Sequence, residues 1–250
     1  MKYILTGGSG LLGTELQKQA PDLFFAPTHS EMDINASYQL DEYFNQYFRD
    51  METVGVLHAA AFTSPPKCEK NKSDAYYVNV NGTENIVNSL KRLECGVLFP
   101  KLVLISTDYV YDGSKNPLHE EGEYLAPVNY YAWTKAMQEI IVRQYFNHLI
   151  IRTTFAARKP WAYPAAYIDH YTSKDFVDVI AGMIIKLITT PLGLSEVVNV
   201  GTERKSLYTL AKRVSPEVRG MLIKDLSFTI PADTSMNCSK YWRLIGEDKL

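Results

Sequence analysis

The sequence predicts an α/β fold: a doubly wound parallel sheet with a small, reduced lobe at its C-terminal end. Three observations carry that expectation. Apolar runs of four to six residues alternate with longer amphipathic stretches, the pattern of βα units around a parallel sheet. Those runs are apolar on both faces, as strands covered on both sides by helices must be. The first run passes directly into a glycine-rich turn, TGGSGLLG at residues 6–13, and from there into a helix-like segment.

In chain order, strands are predicted at 2–7, 23–28, 54–60, 101–107, 148–154 and 197–201. Helical periodicity predicts LLGTELQKQA (11–20), SYQLDEYFNQYF (37–48), SDAYYVNVNGTENIVNSLKRL (73–93) and NYYAWTKAMQEIIVRQYF (129–146) as helices. The stretch 155–175 differs in kind, with two prolines, several aromatics and no period. It reads either as a substrate wall beyond the strand ends or as a surface connection whose aromatics plug the core.

Composition removes several classes of function. A net charge of −2 with a pI near 6.2 offers no basic excess for nucleic acid. Three dispersed cysteines (Cys68, Cys95 and Cys238) fit a reducing compartment better than a disulfide framework, and none has metal-ligand spacing. MKYILTGG lacks signal-peptide anatomy, and no run reaches the roughly 20 apolar residues of a membrane span. The expectation is a soluble, cytoplasmic protein without membrane partners.

Gly7, Gly10 and Gly13 stand at G-x-x-G-x-x-G spacing between strand and helix. Glycines there allow the tight turn and let the backbone approach a pyrophosphate at the helix N-terminus. This predicts a Rossmann-type dinucleotide-binding domain at 1–154. Residues 155–250 then form a small substrate-binding lobe interleaved with the last strand of the sheet. The stretch after the second strand, Ala26 to Ser30, holds no carboxylate before Glu31. A ribose 2′-phosphate is therefore tolerable, with Thr28, His29 and Ser30 as donors. The cofactor is NADP(H) or NAD(H), with the lean to NADP(H). His29 also reads as a solvated loop histidine.

Tyr131 and Lys135 form a Tyr-x-x-x-Lys pair, YAWTK, on a predicted helix. Residues four apart share one helix face, with Cβ atoms about 5–6 Å apart. An ammonium beside a phenol favours the phenolate, which makes the tyrosine a usable proton donor or acceptor.

The whole chain resembles the extended short-chain dehydrogenase/reductases, and most of all the dTDP-4-dehydrorhamnose reductase family. The residues that carry the resemblance are TGGSGLLG at 6–13, MDI at 32–34, HAAAFT at 58–63, YVNVNGT at 77–83, STDYVYDG at 106–113 and YYAWTK at 130–135. The resemblance implies that Tyr131 donates a proton to a sugar C4 carbonyl, that Lys135 tunes Tyr131 and holds the nicotinamide ribose, and that Thr107 polarises the reacting oxygen. It also implies that Gly10, Leu11 and Leu12 line the pyrophosphate and that Asp33 and Ile34 line the adenine. Ala59, Ala60, Ala61, Phe62 and Thr63 lie along the dinucleotide, with Ser106 also on the cofactor side. Asp108 and Phe155 touch the sugar, although Asp108 equally reads as a turn cap. Asn79 reads either as part of an active-site water chain or as a satisfier of buried backbone. Glu15 matches a metal-binding position of some relatives, but no metal is expected. Sugar-nucleotide 4,6-dehydratases usually carry glutamate directly after Thr-Asp; Tyr109 stands there in this chain.

The implied activity is reduction of a nucleotide-linked 4-keto-6-deoxy sugar, with a homodimer kept as a candidate assembly. The interval after Phe155 is shorter than is usual in that family and carries Arg158, Lys159 and Trp161, which could meet a diphosphate or stack on a ring. An NAD-dependent epimerase and a non-catalytic, dinucleotide-binding regulatory subunit are the rival readings.

Overall fold

The computed structural model describes residues 1–49, 52–93, 99–113, 118–225 and 229–247; Cys95 lies outside them. The first part of the chain runs β1 (Lys2–Thr6), α1 (Leu11–Gln19), β2 (Phe24–Phe25), α2 (Ser37–Tyr47), β3 (Thr53–His58), α3 (Pro65–Lys70) and α4 (Lys72–Tyr76). A π-helical turn, Tyr77–Asn81, leads into α5 (Gly82–Arg92), β4 (Lys101–Thr107), α6 (Tyr130–Val142) and β5 (His148–Thr153). Four short strands follow: β6 (Phe155–Ala156), β7 (Ala165–Tyr167), β8 (Tyr171–Thr172) and β9 (Asp175–Phe176). The chain ends with α7 (Val177–Thr189), β10 (Ser195–Val200), β11 (Lys205–Ser206), α8 (Leu207–Lys212), β12 (Arg219–Met221) and α9 (Ser239–Leu244).

The main sheet has the order β2-β1-β3-β4-β5-β10, with every pairing parallel. Its register places Ile4 beside Val56 and Leu5 beside Leu57, then Val56 beside Leu102 and Leu57 beside Val103. Because side chains alternate along a strand, each row feeds a different core. Leu5, Leu57, Val103, Leu149 and Ile151 pack with α1 and α7 through Leu12, Leu16, Ile180, Ile184 and Leu187. Ile4, Val56, Leu102, Leu104 and Ile150 pack on the other face with Leu40, Phe44, Ile86, Val87 and Ile141 of α2, α5 and α6. Each such side chain contributes about 1.5–3 kcal/mol of burial.

The chain leaves β1 for β2 on one side and returns to β3 on the other. That reversal opens a crevice at the carboxyl ends of the strands, where open α/β sheets bind ligands. The second strand is shorter than predicted, because the backbone turns away after Phe25 and Glu31 accepts from Thr28 N at 2.7 Å. The single helix predicted at 73–93 is split by the π-helical turn. Helix α7 is absent from the predicted elements, although Val177, Ile180, Ala181, Ile184, Leu187 and Ile188 recur at helical spacing and form its buried face.

After β5 the chain builds three small pairs beyond the sheet edge: β6 with β9, β7 with β12, and β8 with β11. It re-enters the sheet at β10, beside β5. Among the described residues no helix is long and apolar enough to cross a membrane.

Candidate active site

The carboxyl edge holds a cleft of about 770 Å³ that runs from the glycine turn, past the ends of β3 and β4, to Phe155 and Lys174. Gly7 has φ +75°, and Gly10 N donates to Gly7 O at 3.0 Å. A Cβ on Gly13 would stand 2.3 Å from Gly7 O, and one on Gly7 2.6 Å from Ala60 N. The turn is thus packed backbone against backbone, at a closeness only glycine permits. Gly10 caps α1 without a side-chain hydrogen bond, so the first N–H groups of that nine-residue helix remain available to an anion.

A buried polar network fixes the opposite wall. Thr6 Oγ1 lies 2.7 Å from His58 Nδ1 and accepts from Ala60 N at 3.2 Å, which seats Ala59–Ala61 beside the glycines. Gln138 Nε2 donates to Thr83 Oγ1 at 2.6 Å and to His58 Nε2 at 3.2 Å. Burial, aided by the Lys135 charge, pushes His58 down to about 3, so its ring is neutral. Asn79 sits in the π-helical turn. It accepts from Phe62 N at 2.7 Å, donates to Phe62 O at 3.1 Å and donates to Thr134 Oγ1 at 2.8 Å.

At the far end of the cleft lie His29, Asp33 and Ile34. Asp33 Oδ1 accepts from Asn35 N at 2.9 Å, and His29 Nε2 approaches Asp33 at 3.8 Å. Of the three donors named for a 2′-phosphate, only His29 lines the cleft. The Thr28 hydroxyl donates instead to Glu31, at 2.8 Å.

At the other end, β4 delivers Thr107 and α6 delivers Tyr131 and Lys135. Asn129 caps α6 by accepting from Ala132 N at 2.9 Å, which sets where the Tyr131 turn begins. Farther along α6, Glu139 and Arg152 form a buried two-bond pair at 2.9 Å that fastens the helix to β5. Ser106 donates to Glu139 at 2.7 Å, so its hydroxyl is engaged behind the cleft.

Burial raises the Tyr131 phenol well above its ordinary range; the Thr107 hydroxyl beside it pulls the other way, and the Asp108 charge adds to the rise. Lys135 Nζ donates to Ile105 O at 2.7 Å, and burial pushes it down to about 7 against the pull of Glu139. Asp108 is almost fully buried. Its Oδ2 accepts from Thr172 at 3.0 Å and from Thr234 inside hydrogen-bond range at 2.6 Å, while Oδ1 accepts from Thr107 at 3.2 Å. Tyr109 stands edge-on to Tyr131, with ring centroids 6.4 Å apart, and edge-on to His170 at 6.2 Å.

The cleft therefore gathers Gly7, Gly10, Leu11, Leu12, Gly13, Asp33, Ile34, Ala59–Ala61, Thr63, Ser106–Asp108, Tyr131, Lys135 and Phe155. It does not gather Arg158, Lys159 or Trp161. Arg158 forms a two-oxygen pair with Asp178 at 2.9 and 3.0 Å and lies over the Phe176 ring. Trp161 packs among Ala166, Ala211 and Val218. Glu15 pairs with Lys18 and Gln19 on the surface of α1. Among the described residues no group of three or more His, Cys, Asp or Glu could hold a metal ion. Lys174 lines the cleft and escaped the sequence reading, since nothing in its local pattern marks it.

A family model described as RmlD substrate binding domain matches residues 1–181. The chain belongs to that family. Within it, the spore coat polysaccharide biosynthesis protein SpsK of Bacillus subtilis (strain 168) is 28% identical over 223 residues, which cover 80% of this chain and 74% of SpsK. A dTDP-4-dehydrorhamnose reductase of Aggregatibacter actinomycetemcomitans is 28% identical over 159 residues, covering 62% of this chain and 51% of the reductase. The match thus spans about half the length of that relative. The solved dTDP-4-dehydrorhamnose reductase of Bacillus anthracis str. Ames, in complex with NADP, superposes with a TM-score of 0.82 at 24% identity, covering 100% of this chain and 95% of that one. The family and this likeness agree with the parallel Rossmann-type sheet described above.

Proposed function

We propose that the chain is an NAD(P)H-dependent oxidoreductase that reduces the C4 carbonyl of a nucleotide-linked 4-keto-6-deoxy sugar. The observation that carries this reading is one cleft lined both by Tyr131, Lys135 and Thr107 and by an uncapped, glycine-cradled helix N-terminus. Its relatives named dTDP-4-dehydrorhamnose reductase support the substrate class.

The glycine turn fits a dinucleotide, because its backbone closes to distances that leave no room for side chains and it leads into a helix N-terminus with no side-chain cap. Gly7, Gly10 and Gly13, with Leu11 and Leu12, would hold the pyrophosphate. Asp33 and Ile34 would flank the adenine, and Ala59–Ala61 and Thr63 the nearer ribose. When bound, the dinucleotide supplies the hydride. The lean to NADP(H) rests on His29, and on a Glu31 carboxylate already engaged by Thr28.

Tyr131 gives its phenolic proton to the carbonyl oxygen as negative charge develops there. Burial keeps that phenol protonated at neutral pH, so the proton is in place beforehand. Thr107 can donate a hydrogen bond to the same oxygen once its one hydroxyl proton turns from Asp108 Oδ1, where it rests at 3.2 Å. Lys135, held by Ile105 O and poised near 7, would hold the ribose hydroxyls of a bound dinucleotide. Asp108, with both carboxylate oxygens holding hydroxyls, keeps Thr107 and the strand end in place. Residues 155–250 supply the substrate side of the cleft through Phe155 and Lys174.

The test is oxidation of NADPH and NADH by the purified chain against a panel of nucleotide-linked 4-keto sugars. Cofactor consumption with one of them supports the reading. Sugar conversion without net cofactor change marks an epimerase, and co-purification with a fixed partner together with silence against the whole panel favours a regulatory subunit.

A further inference from the structure

Lys174 sits between β8 and β9, and its backbone is pinned on both sides. Its N–H donates to Thr172 Oγ1 at 3.1 Å, and its carbonyl accepts from Lys205 Nζ at 3.1 Å. The same Thr172 hydroxyl donates to Asp108, so this loop is locked to the end of β4. The side chain lines the cleft, yet its ammonium donates to no acceptor among the described residues.

Lys174 differs in this from Lys135, Arg158 and Lys205. Lys135 is committed to Ile105 O, and Arg158 to Asp178 outside the cleft. Lys205 is shared among Lys174 O, Thr202 and Glu203 O. Apart from Lys135, and His29 at the far end, Lys174 is the one basic residue of the cleft lining among the described residues. Asp108 attracts it, but the Asp108 oxygens already accept three hydroxyl bonds. Burial holds the ammonium below its ordinary range, as expected of a cation short of a full partner. Thr153 brings a second polar group to the same stretch of lining, a buried hydroxyl without a hydrogen-bond partner.

A half-buried ammonium lacking an acceptor gains most from an anionic oxygen. The glycine turn and the N-terminus of α1 serve the anion of the dinucleotide at the opposite end. We propose that Lys174 is the substrate-recognition cation of the cleft and binds an anionic oxygen of the substrate's diphosphate. This assignment rests on the nucleotide-sugar reading above.

The full chain, saturated with NADPH, is titrated calorimetrically with UDP-glucose, dTDP-glucose, UDP-glucuronate and inorganic pyrophosphate, as wild type, Lys174→Met and Lys174→Arg. Loss of a charge-assisted hydrogen bond should weaken binding roughly ten- to hundredfold in Lys174→Met, with recovery in Lys174→Arg. NADPH affinity should stay unchanged and the melting temperature should not fall, whereas loss of a merely structural contact would lower it. Equal loss for all three sugars supports the diphosphate contact, and loss confined to UDP-glucuronate overturns it. Wild-type affinity for every probe in Lys174→Met overturns the proposal, as does a loss of NADPH binding instead. If wild type binds pyrophosphate through Lys174 but none of the sugars, the cation site stands and the nucleotide-sugar reading fails. If it binds none of the four, both fall.

Discussion

Asn79 donates to Thr134 Oγ1 at 2.8 Å, and through that bond the π-helical turn is tied to the helix that carries Tyr131 and Lys135. The remaining bonds of Asn79 go to Phe62 N and Phe62 O, so one buried amide aligns the segment after β3 with that helix. Asn79→Ala leaves the Phe62 N–H without its partner, at a cost of about 1–3 kcal/mol. Thr134→Val removes a single bond and should cost less. Calorimetric melting, together with NADPH titration, ranks the two variants.

Tyr131→Phe keeps the ring between Thr107 and Tyr109 and removes only the transferable proton. Turnover should fall roughly 10²- to 10⁴-fold, while the NADPH dissociation constant stays near that of wild type. Steady-state kinetics beside equilibrium cofactor titration checks this. Unchanged turnover would remove Tyr131 from the mechanism.

The Lys135 side chain sets a pH slope in stability. Its folded-state value of about 7 lies below the ordinary 10.5, so between these limits the unfolded chain binds more protons than the folded one. Stability from this group therefore rises with pH across that window and levels off below it. Lys135→Met should melt higher than wild type at neutral pH, and the gap should close toward pH 10.5. Melting curves of the cofactor-free protein across that range measure it.

Gly13→Ala drives a methyl group to 2.3 Å from Gly7 O, which is backbone and unable to swing aside. We expect about 1–3 kcal/mol of destabilisation and a large loss of dinucleotide affinity. Gly122→Ala is the control, since a Cβ there meets nothing within 4 Å. Denaturant unfolding and NADPH titration of both variants make the comparison.

Much of the sheet is legible because parallel strands buried on both faces leave unbroken apolar runs; 101–107 is predicted and observed with the same limits. The second strand is overextended in prediction because Ala26–Thr28 is apolar enough to continue it, and only the Glu31 contact shows the chain turning away. The π-helical turn is invisible in the pattern, since its residues keep helical spacing. The glycines, Thr107, Tyr131 and Lys135 are legible because their local motifs carry chemistry. Lys174 and the Asp108 network are not, because the cleft that exposes one and the threonines that saturate the other come from distant parts of the chain. Arg158 misleads for a related reason: its partner, Asp178, lies twenty residues on, across a turn that local pattern does not describe.

Asp108 waits for Thr234, a partner 126 residues farther along. During synthesis the glycine turn, β3 and β4 emerge long before that threonine. A nascent or truncated chain ending ahead of residue 234 would present its dinucleotide cradle while the anchor of Thr107 was still missing a donor. On the proposed mechanism, competence to transfer the proton would then be among the last properties to be acquired, with the segment around Thr234 completing it.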